Sequence, residues 1–363
     1  MKATAVNRAS RGIDSVLALA RPDILELQPY QHATWDPSLE RMHANEMPWR
    51  AQGDNTRLGL NRYPEPQPRE LVERMAQLYE VPADRVLVGR GSDEAIDLLA
   101  RAFCRAGQDS VVICPPTFGF YKVAARIQGA GVIEVPLLEE GWALDAPAVL
   151  EAGRRAKLVF LCSPNNPTGN LLDEDAMLGL CRELADTALL VVDEAYVEFS
   201  GRASLAARLD AHPNLVVLRT LSKAHALAGA RCGAMLAAPE IVALLKRIIP
   251  PYAITASTIE EVLSFTEPPQ RAIAAGRIRT ILAERERMRA RLTASSAVAR
   301  VFPSDANFLL VQCRDAARVL AAGKSTGLLV RDFSNAPRLA NCLRVTVGTP
   351  DQNERLLAAL ESL

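Results

Sequence analysis

The sequence has no surplus of either charge: lysine plus arginine and aspartate plus glutamate both number 42. A chain so balanced carries no basic footprint for nucleic acid and none for an anionic membrane surface. No apolar run approaches the ~18 residues of a spanning helix. The opening stretch MKATAVNRASRGIDSVLALARPD has no sustained apolar segment followed by a small-residue cleavage site, so no secretory signal is read. Histidine is scarce, at four residues. No two form H-E-x-x-H, and G-x-S-x-G is absent, which removes the commonest zinc-protease and serine-hydrolase readings. The cysteines number seven; no two form C-x-x-C, and most sit in apolar runs such as VVICPP and VFLCSP. A disulfide framework and a metal site are therefore not expected. Buried thiols in a reducing cytoplasm are.

What is present is apolar and patterned. With 363 residues, 49% of them hydrophobic, the chain can bury one large or two ordinary cores. Residues 1–55 carry proline breaks and aromatics without a clean period, and read as an N-terminal arm. From residue 56 to about 245, short continuous apolar runs alternate with helical patterns. DRVLVG precedes SDEAIDLLARAFCRA, DSVVICP precedes FGFYKVAARIQG, and AKLVFLCSP precedes DEDAMLGLCRELADT; ALLVVDEAY, NLVVLRT and GAMLAA follow. Such runs predict a mostly parallel α/β sheet covered by helices on both faces. From 246 to 363 a long charged helical pattern leads into alternating strands, AVARVF, NFLLVQC, GLLVRDF and NCLRVTVG. That texture predicts a smaller α+β domain.

In open α/β sheets, ligands bind beyond the carboxyl ends of the strands. The residues immediately after the runs are therefore the candidates. They are Gly91-Ser92-Asp93-Glu94, Pro116-Thr117-Phe118, Asn165-Asn166-Pro167-Thr168-Gly169, Asp193-Glu194-Ala195-Tyr196 and Thr220-Leu221-Ser222-Lys223. Each alone has a plain reading: a helix cap, a turn, a charged strand end. Together they supply one crevice with a helix start, a flat aromatic, an amide, a carboxylate, a phenol and a lysine. Pyridoxal 5′-phosphate needs that set. Its aldehyde needs a lysine amine, here Lys223. Its ring nitrogen needs a carboxylate to stay protonated, here Asp193. Tyr196 and Asn166 can donate to the phenolic oxygen, and Phe118 can cover the ring face. The phosphate needs helix-start amides, hydroxyls and an arginine: Ser92, Asp93 and Glu94, then Thr220 and Ser222, then Arg231.

The order GSDE, PPTF, NNPTG, DEAY and SK followed by Arg231 resembles the fold-type I aminotransferases. LQPYQHA at 27–33, HANE at 43–46, NRYPEP at 61–66, VRD at 330–332 and CLRVTVGT at 342–349 make it most similar to the histidinol-phosphate aminotransferase family. The resemblance implies transamination of L-histidinol phosphate with 2-oxoglutarate. It also implies a homodimer with shared active sites, in which Tyr63 reaches the cofactor phosphate of the neighbouring subunit. Arg344 matches the arginine that holds a substrate carboxylate, and Arg331 matches a second arginine suited to a phosphate dianion. Tyr30, from the arm, matches a residue closing over the imidazole end, and Asn45 lies in the HANE segment counted with the substrate site. Phe118 stands where tyrosine is frequent, His225 where phenylalanine is usual, and Arg90 where asparagine is frequent. His225 is read as packing under the lysine loop. These departures leave room for an aromatic amino-acid aminotransferase or a lyase like threonine-phosphate decarboxylase. A cofactor-binding transcriptional regulator would need an appended DNA-binding domain, for which the N-terminal segment leaves no room.

Overall fold

The computed structural model describes residues 16–363 apart from Thr34 and Pro37; residues 1–15 of the expected arm lie outside the described residues. Seven strands form the larger sheet: β1 (Val86–Gly89), β2 (Ser110–Ile113), β3 (Gly131–Glu134), β4 (Leu158–Cys162), β5 (Leu189–Asp193), β6 (Leu215–Thr220) and β7 (Gly233–Leu236). Their spatial order is β1-β7-β6-β5-β4-β2-β3. All neighbours are parallel except β7, which runs antiparallel to both β1 and β6. The sheet is thus mostly parallel, as the uninterrupted apolar runs predict. β4, β5 and β6 are buried at every position. Their alternate side chains feed two separate cores. Val159, Leu161, Leu190, Val192 and Val217 pack on one face, and Leu158, Phe160, Leu189, Val191 and Val216 on the other. A strand with both faces buried cannot alternate polar and apolar residues, which is why these segments read as solid hydrophobic blocks.

Helices α1 (Arg69–Tyr79), α2 (Ser92–Phe103), α3 (Phe120–Ile127), α4 (Ala146–Gly153), α5 (Glu174–Glu183) and α6 (Pro239–Leu245) cover the sheet. After α7 (Ala256–Phe265), the long α8 (Pro268–Ala294) leads to a second sheet. That sheet comprises β8 (Val298–Val301), β9 (Phe308–Cys313), β10 (Arg331–Asp332) and β11 (Cys342–Thr346), in the order β10-β11-β9-β8 and antiparallel throughout. Met288 and Leu292 of α8 pack with Leu309, Val311, Leu343 and Val345 beneath α9 (Ala316–Ser325) and α10 (Pro350–Glu361). Two elements differ from the sequence reading. β3 has no apolar run because it is an edge strand with no buried residue. The expected strand GLLVRDF shrinks to the two residues of β10, with Leu329 88% exposed.

The two sheets meet beside the carboxyl ends of the first. The Asp305 amide donates to the Gly169 carbonyl at 2.7 Å, and the Leu171 amide to Asp305 Oδ2 at 3.0 Å. All seven cysteines are buried and unpaired. Among the described residues no helix is long and apolar enough to cross a membrane, and no cluster of side chains could hold a metal ion.

Candidate active site

A cavity of about 170 Å³ opens at the carboxyl edge of the first sheet. Its walls include Ser92, Asp93, Phe118, Asn166, Asp193, Tyr196, Thr220, Ser222, Lys223 and Arg231. It is smaller than the roughly 300–1,000 Å³ clefts that take drug-sized molecules, and so suits a one-ring group. A larger cleft of about 690 Å³, between the start of α5 and the Glu194–Leu205 segment, has no lysine, histidine or cysteine in its lining. The chemistry favours the smaller cavity.

Local folding explains how each side chain arrives. The chain leaves β1 through Gly91, at φ 87°, and enters α2 at Ser92. A Cβ on Gly91 would lie 2.8 Å from Arg231 Nη2, so only glycine lets the guanidinium close against this turn. Gly233, at the start of β7, passes equally close: its missing Cβ would meet the Ser92 amide nitrogen at 2.8 Å. Because β7 is reversed, the residues preceding it, including Arg231, enter the same edge at which β1 and β6 end. Arg231, itself left-handed at φ 50°, reaches Asp93 Oδ2 at 3.3 Å and the Ala228 carbonyl at 3.1 Å.

The Glu94 side chain takes another course. It is not in the cavity lining. It turns back to accept from the Arg90 amide at 2.7 Å and from Arg90 Nε at 2.8 Å. Arg90 therefore braces the turn through Glu94. The turn bearing Asn166 is framed by its buried neighbour Asn165, which donates to the Pro116 carbonyl at 2.8 Å and accepts from Thr117 Oγ1 at 2.8 Å.

The electrostatics fit a cationic ring and a reactive amine. Asp193 is 3% exposed, and burial pushes its carboxyl up to about 6; hydrogen bonds from Tyr121 and the Ala195 amide pull the other way. A buried carboxylate at a cavity wall is stabilised by a cation placed against it, and a protonated pyridine nitrogen is such a cation. Lys223 is held below its ordinary value, first by burial and next by the Arg344 guanidinium, with Asp93 and Asp193 opposing. Its Nζ lies 5.7 Å from the Tyr196 ring centroid. Burial raises the Tyr196 phenol, so it remains a donor at neutral pH.

The second sheet carries both expected substrate guanidiniums, neither of them in the cavity lining. Arg331 and Arg344 stand directly opposite each other on β10 and β11. Arg344 lies between Phe308 and Phe333, at 5.3 and 5.4 Å from their centroids, and its Nη1 donates to Asn166 Oδ1. Like charges placed opposite each other in a sheet repel; here burial and Arg331 both lower the Arg344 pKa. Arg331 is exposed and 5.8 Å from the Phe333 centroid.

Tyr63, Tyr30 and Asn45 do not line this cavity. Tyr63 is half exposed and stacks on Tyr252 at 4.6 Å; Tyr252 meets His32, which meets Tyr30. Asn45 is exposed with φ 56°. Beside it Glu46 accepts from the Tyr63 amide at 2.7 Å and pairs with Arg41 and Arg62, tying the HANE and NRYP segments together. His225 is also outside the lining; its Nε2 is 4.0 Å from Glu198 Oε1, and burial lowers its pKa. Sequence reasoning passed over Tyr121 and Glu46. The signal for Tyr121 was a phenol in the otherwise apolar face of FGFYKVAARI.

The sheet order, the cavity at its edge and the lysine within it define a fold-type I aminotransferase. The family model described as aminotransferase class I and II matches residues 43–360. A histidinol-phosphate aminotransferase of Stenotrophomonas maltophilia is 46% identical over 96% of this chain and 98% of its own. A crystal structure of histidinol-phosphate aminotransferase from Sinorhizobium meliloti in complex with pyridoxal-5′-phosphate aligns with a TM-score of 0.75 and 26% identity, over 84% of this chain and 83% of that one. L-threonine-O-3-phosphate decarboxylase from Porphyromonas gingivalis aligns at 0.69 and 26% identity, over 84% and 90%. The chain belongs to the histidinol-phosphate aminotransferase family of class I and II aminotransferases.

Proposed function

We propose that this enzyme transaminates L-histidinol phosphate with 2-oxoglutarate, giving imidazole acetol phosphate and glutamate, with pyridoxal 5′-phosphate as cofactor. The observation that carries the substrate assignment is the pair Arg331 and Arg344, opposite each other on β10 and β11, with Arg344 reaching Asn166. Two guanidiniums suit a phosphate near the dianion, and they bind it bidentately.

The cofactor, when bound, supplies the electron sink for the substrate's α-carbon. The chain supplies the rest. Lys223 Nζ would hold the cofactor, and its amine, kept below its ordinary pKa first by burial, is placed to take the substrate's α-proton as general base and to pass it on as general acid to a different carbon. Asp193 would hold positive charge at the ring nitrogen, Tyr196 and Asn166 would donate to the phenolic oxygen, and Phe118 would cover the ring. The amides of Ser92, Asp93 and Glu94, the hydroxyls of Thr220 and Ser222, and Arg231 would hold the phosphate.

The proposed division is an arm at 1–55, a cofactor domain at 56–245 and a small domain at 246–363. The working unit is a cytoplasmic homodimer, with no role for nucleic acid or membrane. Exposed apolar side chains in and after the arm support a dimer, among them Met42, Trp49, Leu39 and Met47; so does the placement of Tyr63 and Tyr30 outside their own chain's cavity. Tyr63 then reaches the cofactor phosphate of the neighbouring subunit, while Tyr30 and Asn45 belong to the substrate end of the site. A panel of histidinol phosphate, phenylalanine, tyrosine and threonine phosphate, each with 2-oxoglutarate, tests the assignment. Histidinol phosphate should be preferred. Preference for an aromatic amino acid, or carbon dioxide release from threonine phosphate, would replace it.

A further inference from the structure

Tyr121 lies near the start of α3, fully buried and outside the cavity lining. Its hydroxyl donates to Asp193 Oδ2 at 2.8 Å. The other carboxylate oxygen accepts from the Ala195 amide at 3.1 Å, so both oxygens of Asp193 are held, and each keeps acceptor capacity free. The Tyr121 ring stacks on Phe160 at 4.9 Å and 6°, and meets Phe118 edge to face at 5.5 Å and 86°. One buried side chain thus supports both the carboxylate and the aromatic plate on the cavity wall.

We propose that Tyr121 is a positioning residue for the reaction: its hydroxyl orients Asp193 and favours its ionised form, while its ring fixes the tilt of Phe118. This rests on the reading that Asp193 meets the cofactor's ring nitrogen. The physical reason is a conflict at Asp193. Burial favours the neutral acid, whereas a hydroxyl donating to the carboxylate favours the anion. A neutral Asp193 loses its attraction for a protonated ring. Tyr121 is the one side chain that donates to it among the described residues. Rotation about the last torsion of an aspartate is broad, and the hydroxyl selects one orientation.

The test is equilibrium dialysis of holoenzyme, measuring retained cofactor from pH 5 to 8, for the parent and for Tyr121→Phe, Asp193→Asn and Phe160→Leu. Tyr121→Phe keeps the ring and removes only the hydroxyl. Losing that donor raises the Asp193 pKa, so the acid limb of cofactor retention should move to higher pH by about one unit; affinity should fall about tenfold at pH 5 and only about twofold at pH 7. Phe160→Leu loosens the same core without touching the hydroxyl; it should lower the melting temperature and leave the limb in place. If Asp193→Asn weakens retention and abolishes the limb while Tyr121→Phe matches the parent, the inference is overturned and the Asp193 reading stands. If Phe160→Leu shifts the limb as far as Tyr121→Phe, Tyr121 contributes packing only, and the inference again fails. If Asp193→Asn changes nothing, the underlying reading fails, and the inference with it.

Discussion

Replacing Arg331 by alanine separates phosphate recognition from carboxylate recognition. Arg331 is exposed at the end of β10, while Arg344 is partly buried between two phenylalanines and already engaged with Asn166. A hydrogen bond to a charged group contributes about 1.5–3 kcal/mol. Exposure places Arg331 at the low end, about 1.5 kcal/mol or roughly tenfold in binding. Removal should therefore weaken the half-reaction with histidinol phosphate about tenfold. The half-reaction with 2-oxoglutarate, whose α-carboxylate is assigned to Arg344, should change less than about threefold, within the usual range of a distant surface substitution. Stopped-flow absorbance on each half-reaction separately reads both numbers, and repeating it at higher salt adds a check. An exposed contact is screened within about 8–10 Å at physiological ionic strength, so the Arg331 effect should shrink as salt rises. Equal losses in the two half-reactions would refute the division of labour. No loss in either would leave Arg331 without a role in phosphate binding.

Borohydride reduction of holoenzyme followed by peptide mapping should place a pyridoxyl adduct on Lys223, and an adduct on any other lysine contradicts the site. Burial raises Asp193 from 3.8 to about 6, so its ionised form destabilises the cofactor-free fold above pH 6. That cost fades as pH falls toward 4, because the folded state takes up the proton first. Asp193→Asn should accordingly raise the melting temperature of cofactor-free protein at pH 8, by at most about 3 kcal/mol equivalent. The gain should shrink to about a third near pH 4.5 and vanish only below the unfolded value of 3.8; an equal gain at pH 8 and pH 4.5 would count against the assignment. Gly91→Ala places a Cβ 2.8 Å from Arg231 Nη2 at a φ of 87°. It should cost about 1–3 kcal/mol in unfolding free energy and weaken cofactor retention on dialysis, and unchanged retention would mean Arg231 does not hold the phosphate. Mixing Lys223→Ala subunits with Tyr63→Ala subunits should restore one working site per hybrid dimer, and verified hybrids without activity would remove Tyr63 from a shared site.

Much of the fold was legible because burial on both faces writes itself into β4, β5 and β6 as unbroken apolar runs. β3 was not legible, because an edge strand half open to solvent needs no such run. The cofactor residues drawn from the ends of the runs were legible as a set, since one sheet edge gathers them, and all of them but Glu94 line one cavity. Glu94 shows the limit. Its place in GSDE is plain, but only coordinates reveal its side chain turned back on Arg90. Tyr121 and Glu46 were illegible for a related reason. Each acts through a contact more than ten residues away, with Asp193 and with Tyr63; a phenol on an apolar helix face marks Tyr121 locally, but nothing local names either partner.

The reversed strand β7 also makes the sheet a gauge. It lies between β1 and β6, with Gly233 registered against both Gly89 and Thr220. Strands are about 4.8 Å apart, so the turn after β1 and the lysine loop after β6 stand about 10 Å from each other. Backbone hydrogen bonds, not loop flexibility, set that span. A slip of β7 by one residue would exchange the side chains it gives to the two cores, Ala234 and Leu236 for Met235, so the span cannot be tuned gradually. The same gauge ties the position of the phosphate cup to that of the lysine. Arg331 and Arg344, on the other sheet, are free of it. Under the proposed roles, substitutions in β10 and β11 would change substrate preference while the spacing of the two loops stays at one setting.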